Sequence, residues 1–219
     1  MTLEEVGYAW LKSYHINTVI DVGASDGGYA RRARALFPDA TIISFEPLEK
    51  PFRLLTARFA KDRRFRAFNV ALSNRPQKIR FYRSRNGEGS SSVLEMEDVH
   101  KEVYPASRDI EEIEVECTTP DAVCRTQVLE REILLKVDVE GAENLVLAGA
   151  LELLPQVALV YSEVSFRDLY HGQMLVDRLV EMMRGYGFAT IGVDYVSQSL
   201  VDGTFLQANF YFARPNRGH

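Results

Sequence analysis

Carboxylates at the ends of apolar strands are costly to bury, and this chain carries several. In ILLKVDVEGAENL (133–145) an apolar run is interrupted by Lys136 and Asp138, and Glu140 and Glu143 follow directly. VALVYSEVS (157–165) bears Glu163 near its end, and ATIISFEP (40–47) closes on Glu46. In a sheet covered on both faces, such charges persist where they are paired or open into the cleft at the strands' carboxyl end. There an acid can take a proton from a hydroxyl, accept hydrogen bonds from a ligand, or share an oxygen-liganded cation such as Mg2+. Strand alternation puts Lys136, Asp138 and, if the strand continues, Glu140 on one face. Asp138 and Glu140 then reach the cleft, while the deeper Lys136 pairs with a carboxylate. Glu143 falls in the first turn of a helix, where the dipole favours an acid, so capping and a functional role stay equally open.

His171, in the loop DLYHGQM, adds an imidazole whose ordinary pKa of about 6.5 suits a general base. A lone loop histidine is more often a surface residue. The base candidates are therefore Asp138, Glu140, Glu163 and His171. His15 and His100 show no partner in the sequence. Nothing in the carboxylate spacing demands a metal: Mg2+ is admitted as a cofactor, and no residue is assigned to it.

IDVGASDGGYARR (20–32) reads as a strand, a glycine-rich turn and a helix start, the ligand entry of an open α/β sheet. Its D-x-G-x-x-x-G spacing is neither the G-x-G-x-x-G of dinucleotide sites nor a G-x-x-x-x-G-K phosphate loop. The turn therefore admits a ligand without needing to hold phosphate. Gly23 would let backbone approach that ligand, and Gly27 or Gly28 would let the helix begin against it. Glu46, one βα unit downstream, is placed to accept both hydroxyls of a ribose. Turn and acid together point to an adenosine-containing cofactor. S-adenosylmethionine also fits what is missing, because it carries a cationic sulfonium and no phosphate.

These residues need a frame that brings strand ends together. Short apolar strands alternate with helical stretches, which predicts a parallel sheet with helices on both faces. The strands expected are NTVIDVG, ATIISFEP, FRAFNVALS, ILLKVDV and VALVYSEVS, with FATIGVDYV and FLQANFYFA too close together for a helical crossover and read as a closing antiparallel hairpin. Helices are expected over 29–37, 51–60, 143–153 and 174–186, with a short one from Asp121. KIRFYRS and EIEVECTT flank a polar, aperiodic stretch, and residues 83–110 are read as an excursion that covers a site. Within it Gly87–Ser92 reads equally as a flexible linker or as a segment ordering over bound cofactor. Thr2 and Glu5 have capping-box spacing, so a leading helix is expected over residues 1–14, with Trp10 packing it.

The chain has 219 residues, 46% hydrophobic and 26% charged, which suits one domain spanning 1–219. No apolar run approaches a membrane span, and the N-terminus has no basic-then-apolar leader. Cys117 and Cys124 match no ligand pattern, so reduced thiols and the cytoplasm are expected. The net charge of −5 hides an asymmetry: residues 1–85 hold 16 Lys/Arg against 8 Asp/Glu, and residues 86–219 hold 10 against 23. The basic positions do not interleave with aromatics, which argues against nucleic acid. Solvated faces explain them, with an anionic substrate or a basic-to-acidic subunit contact as alternatives. A homodimer is compatible with all of this.

IDVGASDG (20–27), FEP (45–47), NVALS (69–73), GSSS (89–92) and LLKVDVEGAE (134–143) together resemble the FkbM family of S-adenosylmethionine-dependent methyltransferases. The match runs from about Val19 to Glu163, and K-x-D-x-E-G-x-E is its most specific part. One position departs: members usually carry Asn where this chain has Ser25. The resemblance implies a class I (Rossmann-like) methyltransferase fold, a seven-stranded, mostly parallel sheet with its last strand antiparallel. It implies that the turn from Asp21 through Gly23, Ala24 and Ser25 to Gly27 faces the methionine part of the cofactor and that Glu46 holds the ribose. Asn69, Val70 and Ala71 would border the adenine, and Asp138, with Glu140 beside it, would stand next to the methionine and the transferring methyl. The family's acceptors are hydroxyls on sugars, glycolipids or polyketide-like compounds, so the expected partner is a small molecule or glycan. N-methylation, a nicotinamide-dependent oxidoreductase and a non-catalytic binding module are the rival readings.

Overall fold

Seven strands form the main sheet of the computed structural model, in the spatial order β3 (Phe65–Phe68), β2 (Thr41–Phe45), β1 (Thr18–Val22), β7 (Ile133–Val137), β8 (Val157–Ser165), β10 (Phe205–Ala213) and β9 (Ala189–Gln198). The structure describes residues 8–86, 88–200 and 202–215. The cap expected at Thr2 and Glu5, and Gly87, lie outside them. What is described of the leading segment is a 3-10 turn, Ala9–Tyr14, that buries Leu11 and Tyr14.

The central strands are β1 (Thr18–Val22), β2 (Thr41–Phe45), β7 (Ile133–Val137) and β8 (Val157–Ser165). All five residues of β1 and of β7 are buried, as parallel strands covered on both faces must be. Alternation divides them cleanly. Ile20, Ile43 and Leu135 join the core on one face, and Val19, Ile42 and Leu134 join that on the other. Each such side chain contributes about 1.5–3 kcal/mol by leaving water. Helices α1 (Gly28–Leu36) and α2 (Glu49–Arg58) follow β1 and β2, and α5 (Glu143–Ala148) and α6 (Val176–Gly185) follow β7 and β8. The expected helix over 143–153 ends at Ala148, and Gly149 caps it while packing on the backbone of Ser73, where a Cβ would stand 2.2 Å from the carbonyl oxygen.

The expected hairpin is present as β9 (Ala189–Gln198) and β10 (Phe205–Ala213), and β10 inserts antiparallel between β8 and β9. β1 lies between β2 and β7, so the connections leave it in opposite directions. The crevice of an open α/β sheet opens at such a point, outside the strands' carboxyl ends.

The second sheet corrects the sequence reading. FRAFNVALS, expected as one strand, divides into β3 (Phe65–Phe68) in the main sheet and β4 (Ala71–Leu72) in a separate one. At the break the Asn69 amide donates to the carbonyls of Glu46 and Pro47, each at 2.9 Å. KIRFYRS and EIEVECTT become β5 (Gln77–Ser84) and β6 (Ile110–Thr118), which pair with each other rather than with the core. Lys78 meets Glu116, Arg80 meets Glu112 and Arg83 meets Glu111 across this pair. Part of the charge asymmetry is thus spent within the chain, although such exposed pairs contribute only about 0–1 kcal/mol each.

Between β5 and β6 the excursion contains α3 (Asp98–Val103). It is tied to the loop after β8 by an antiparallel bridge between Met96 and Tyr170, and by hydrogen bonds from Glu97 N to Leu169 O and His171 N to Glu95 O. A short helix α4 (Pro120–Cys124) then leads toward β7. Among the described residues no helix is long and apolar enough to cross a membrane.

Candidate active site

The glycine turn after β1 is held by backbone. Gly23 and Ala24 both donate to the Phe45 carbonyl, and Gly23 sits at φ +75°. A Cβ on Gly23 would stand 1.8 Å from the Asp138 carbonyl oxygen, so glycine is required there by the neighbouring strand end itself. Gly27, at φ +89°, has the same freedom and packs against Leu55 of α2 and Phe59, which caps that helix.

Ser25 also lies in the left-handed region, at φ 48°, and its backbone N–H donates to Glu46 Oε2 at 2.9 Å. The contact comes from the main chain, so serine supplies it as well as asparagine would. Glu46 Oε1 accepts from Leu48 N at 2.8 Å. Burial pushes this carboxyl up to about 7, against the pull of its two backbone donors and Lys136. A carboxylate offers about four acceptor positions, so two remain for ligand hydroxyls.

Beneath the turn, Lys136 is only 3% exposed. Its ammonium lies 3.2 Å from Asp21 and 3.6 Å from Asp138, and donates to the carbonyls of Val22 and Gly23 at 3.1 and 2.6 Å. Burial alone would lower its pKa, but the attraction of Asp21 and Asp138 outweighs this and raises it. Lys136 therefore fastens β1 to β7 as a cation.

β7 ends at Val137, and the chain then turns through two left-handed residues, Glu140 at φ 57° and Gly141 at φ 95°. The strand does not continue to Glu140, so the condition for placing that residue on the face of Lys136 and Asp138 is not met, while Lys136 and Asp138 do lie together, 3.6 Å apart. Glu143 holds the turn closed, its Oε1 accepting from Val139 N at 2.9 Å and Gly141 N at 3.2 Å. Carboxylate oxygens of Asp138, Glu140 and Glu163 gather within 4.8 Å of one another. Each has a polar neighbour: Lys136 forms an ion pair with Asp138 at 3.6 Å, Tyr170 OH donates to Glu140 at 2.8 Å, and Gln207 Nε2 donates to Glu163 at 2.8 Å. Burial first, and mutual repulsion second, push Glu140 up to about 8 and Glu163 well above the usual range. Burial also takes Glu143 to about 7.

A cavity of about 310 Å³ opens between these groups. Of the residues singled out by sequence, Gly23, Ser25, Glu46, Val70, Ala71, Asp138 and Glu140 line it. Asp21, Ala24, Gly27 and Asn69 are not in the lining: they hold the turn and strand ends that shape it. Glu163 joins through the acid cluster. His171 is elsewhere, 81% exposed, with Nδ1 3.1 Å from Glu97. Sequence reasoning missed the apolar wall of Leu48, Leu72, Phe81 and Val93. Phe81 was findable, since in KIRFYRS it shares an apolar strand face with Ile79 while Lys78 and Arg80 alternate to the other.

The lining fits S-adenosylmethionine on the structure's own terms. One end offers an apolar slot and a buried acid with free lone pairs, and the other offers carboxylates suited to a cation.

A family model described as "Methyltransferase FkbM domain" matches residues 21–189. Among curated proteins, the chain is 32% identical over 174 residues to 2-O-methyltransferase NoeI of Sinorhizobium fredii, covering 77% of this chain and 71% of that one. It is 27% identical over 196 residues to 31-O-demethyl-FK506 methyltransferase FkbM of Streptomyces tacrolimicus, covering 80% and 74%. Among solved structures, a chain from Clostridium thermocellum superposes over the whole length of both with a TM-score of 0.51 at 7% identity. The Methanococcus jannaschii fibrillarin pre-rRNA processing protein gives 0.50 at 9%, over 91% of this chain and 66% of that one. At such identities these two speak to the fold alone.

Proposed function

The chain belongs to the FkbM family of S-adenosylmethionine-dependent methyltransferases, and from that premise we propose that it methylates a hydroxyl oxygen of a saccharide, glycolipid or secondary metabolite. Family membership removes the oxidoreductase and binding-module readings. The observation that carries the proposal is the juxtaposition, around one cavity, of the Gly23 turn, Glu46 and the Asp138–Glu140–Glu163 cluster. Both curated relatives are named for transfer to oxygen, which favours a hydroxyl over an amine acceptor.

In this reading the free lone pairs of Glu46 accept the ribose hydroxyls. Val70, Ala71, Leu72 and Phe81 enclose the adenine. Asp138 and the Gly23–Ser25 turn face the methionine part. The bound cofactor supplies an activated methyl on a cationic sulfur. The protein's share is to align the acceptor, worth about 7–11 kcal/mol, and to remove its proton, worth about 100- to 10,000-fold. A sugar hydroxyl is a weak nucleophile at neutral pH, and the clustered acids stand where a base is needed. No step in this reading is assigned to a cation. We place the reaction in the cytoplasm, consistent with two buried free thiols, Cys117 and Cys124.

The test is transfer of labelled methyl to a panel of methyl glycosides, glycolipids and polyketide alcohols, with amine analogues alongside. S-adenosylhomocysteine and NAD+ are compared by thermal shift, and each transfer is run with and without EDTA. The proposal expects label on oxygen, a shift with S-adenosylhomocysteine only, and transfer that survives EDTA. Label on nitrogen would sink the hydroxyl assignment. Loss of transfer with EDTA, restored by Mg2+, would overturn the metal-free reading.

A further inference from the structure

Behind Glu140 lies a buried group of hydrogen-bonding side chains outside the cofactor pocket. Tyr170 OH is 2.8 Å from Glu140 Oε2, 3.1 Å from His100 Nε2 and 3.2 Å from the Ser90 carbonyl. His100 Nδ1 is 3.2 Å from Ser107 Oγ, which donates to the Tyr104 carbonyl at 2.6 Å. Tyr170, His100 and Ser107 are each at most 1% exposed, so an orphaned polar group is costly here. Three elements meet: Glu140 follows β7, Tyr170 follows β8, and His100 and Ser107 belong to the excursion between β5 and β6.

With Glu140 ionised, these groups hold fewer hydrogens than contacts to fill. Ser107 has one hydrogen, and it lies on the Tyr104 carbonyl. Ser107 Oγ is therefore an acceptor toward His100, and Nδ1 carries the ring hydrogen. Burial lowers the His100 pKa to about 4, so the ring holds no second hydrogen and Nε2 is bare. Tyr170 then faces three acceptors, Nε2, Ser90 O and Glu140 Oε2, with a single hydrogen to give. An ionised Glu140 draws that hydrogen and strands Nε2. A hydrogen on Glu140 removes the shortage: it goes to the Tyr170 oxygen, and the tyrosine hydrogen goes on to Nε2. Ser90 is half-buried, so its carbonyl is the least costly of the three acceptors to leave.

We propose that Glu140 is a positioning residue that holds a proton at rest, and that this proton clasps the turn after β7, through Tyr170 and His100, to the excursion between β5 and β6. The consequence for catalysis rests on the hydroxyl-acceptor reading above. An acid that already holds a proton does not take the acceptor's, which leaves Asp138 and Glu163 as the base candidates in the cluster. The charges facing Glu140 are Asp138, Glu143, Glu163 and Lys136, with Tyr104 and Tyr170 on the side of the excursion. Burial first, then Asp138 and Glu143, oppose its ionisation, against the pull of Lys136. The His100 ring faces Tyr104 and Tyr170.

The experiment is NMR of the full chain with bound S-adenosylhomocysteine, with labelled glutamate carboxyls and labelled histidine ring nitrogens. The Glu140 signal is assigned by its loss in Glu140→Gln. It is expected as a protonated acid at neutral pH, titrating at about 8. His100 is expected as the neutral Nδ1–H form on both sides of that titration. A Glu140 carboxylate at neutral pH overturns the proposal, as does the Nε2–H form of His100. His100→Phe removes the competing acceptor and frees the tyrosine hydrogen for the carboxylate. The Glu140 titration should then move down by about one to two pH units, and an upward move overturns the proposal. In the unmodified protein kcat should not rise as pH passes through the Glu140 titration. A rise of about tenfold there would make Glu140 the base and overturn its positioning role. Label on nitrogen in the transfer panel would strike the hydroxyl reading and leave the clasp standing, whereas a Glu140 carboxylate with label on oxygen strikes the clasp alone.

Discussion

Lys136 and Asp21 face each other across the β1–β7 register, ammonium to carboxylate at 3.2 Å, with side chains 3% and 0% exposed. The pair joins the two strands whose ends form the cleft, and Lys136 also grips the carbonyls that begin the glycine turn. It is the structural centre of the site, although neither residue lines the cavity.

Replacing Lys136 with Met leaves Asp21 buried without its cation. Breaking one side of a buried pair costs about 3–5 kcal/mol, so a large drop in the denaturation midpoint is expected. Adding Asp21→Asn should recover part of it. A Lys136→Met protein as stable as the parent in urea would refute the pairing.

Two glycines separate backbone strain from contact. Gly23 and Gly172 have nearly the same φ, +75° and +73°, but a Cβ on Gly172 meets nothing within 4 Å. Gly172→Ala should cost only the conformational penalty, about 1–3 kcal/mol. Gly23→Ala should cost clearly more and also weaken S-adenosylhomocysteine binding, because the Asp138 carbonyl must move. Equal losses in the two variants would contradict this.

Glu46→Gln keeps the size of the side chain and removes its charge. Hydrogen bonds to a charged acceptor are worth about 1.5–3 kcal/mol, so S-adenosylhomocysteine affinity should fall about 10- to 100-fold. Calorimetry decides the matter, and unchanged affinity would remove Glu46 from the cofactor site.

Stability should depend on pH in the direction opposite to ordinary acid denaturation. Burial raises the folded-state pKa of Glu46 and Glu143 to about 7 and of Glu140 to about 8, above their unfolded value. The folded state then binds more protons, and this contribution is fully present below the unfolded pKa of about 4.3 and lost as pH rises to about 8. Urea midpoints should therefore fall from pH 5 to pH 8, less steeply in Glu140→Gln (about one acid fewer titrating). A midpoint that rises over this interval would count against the buried cluster.

Much of the architecture was legible because it follows from short-range pattern. Continuous apolar runs such as TVIDV and ILLKV marked strands buried on both faces, and the short spacing of the last two strands required a hairpin. The acids at Glu46, Asp138 and Glu140 were visible as faults in that pattern. The division of FRAFNVALS was not, because residues 65–73 are apolar enough for one strand. The sheet that receives Ala71 and Leu72 is built from β6, some forty residues later.

The family, the order of the elements and the set of acids could be read from the chain alone, since motif spacing and strand alternation are local properties. Which acids share a cavity, and what each one touches, became visible in the folded arrangement. His171, attractive in sequence, is exposed on the surface beside Glu97, while His100, without a visible partner, is buried against Tyr170 and Ser107. The physical reason is that a side chain's protonation behaviour is set by burial and by neighbours tens of residues away. For Glu140 those neighbours arrive on a different loop, seventy residues apart in the case of His100 and Tyr170.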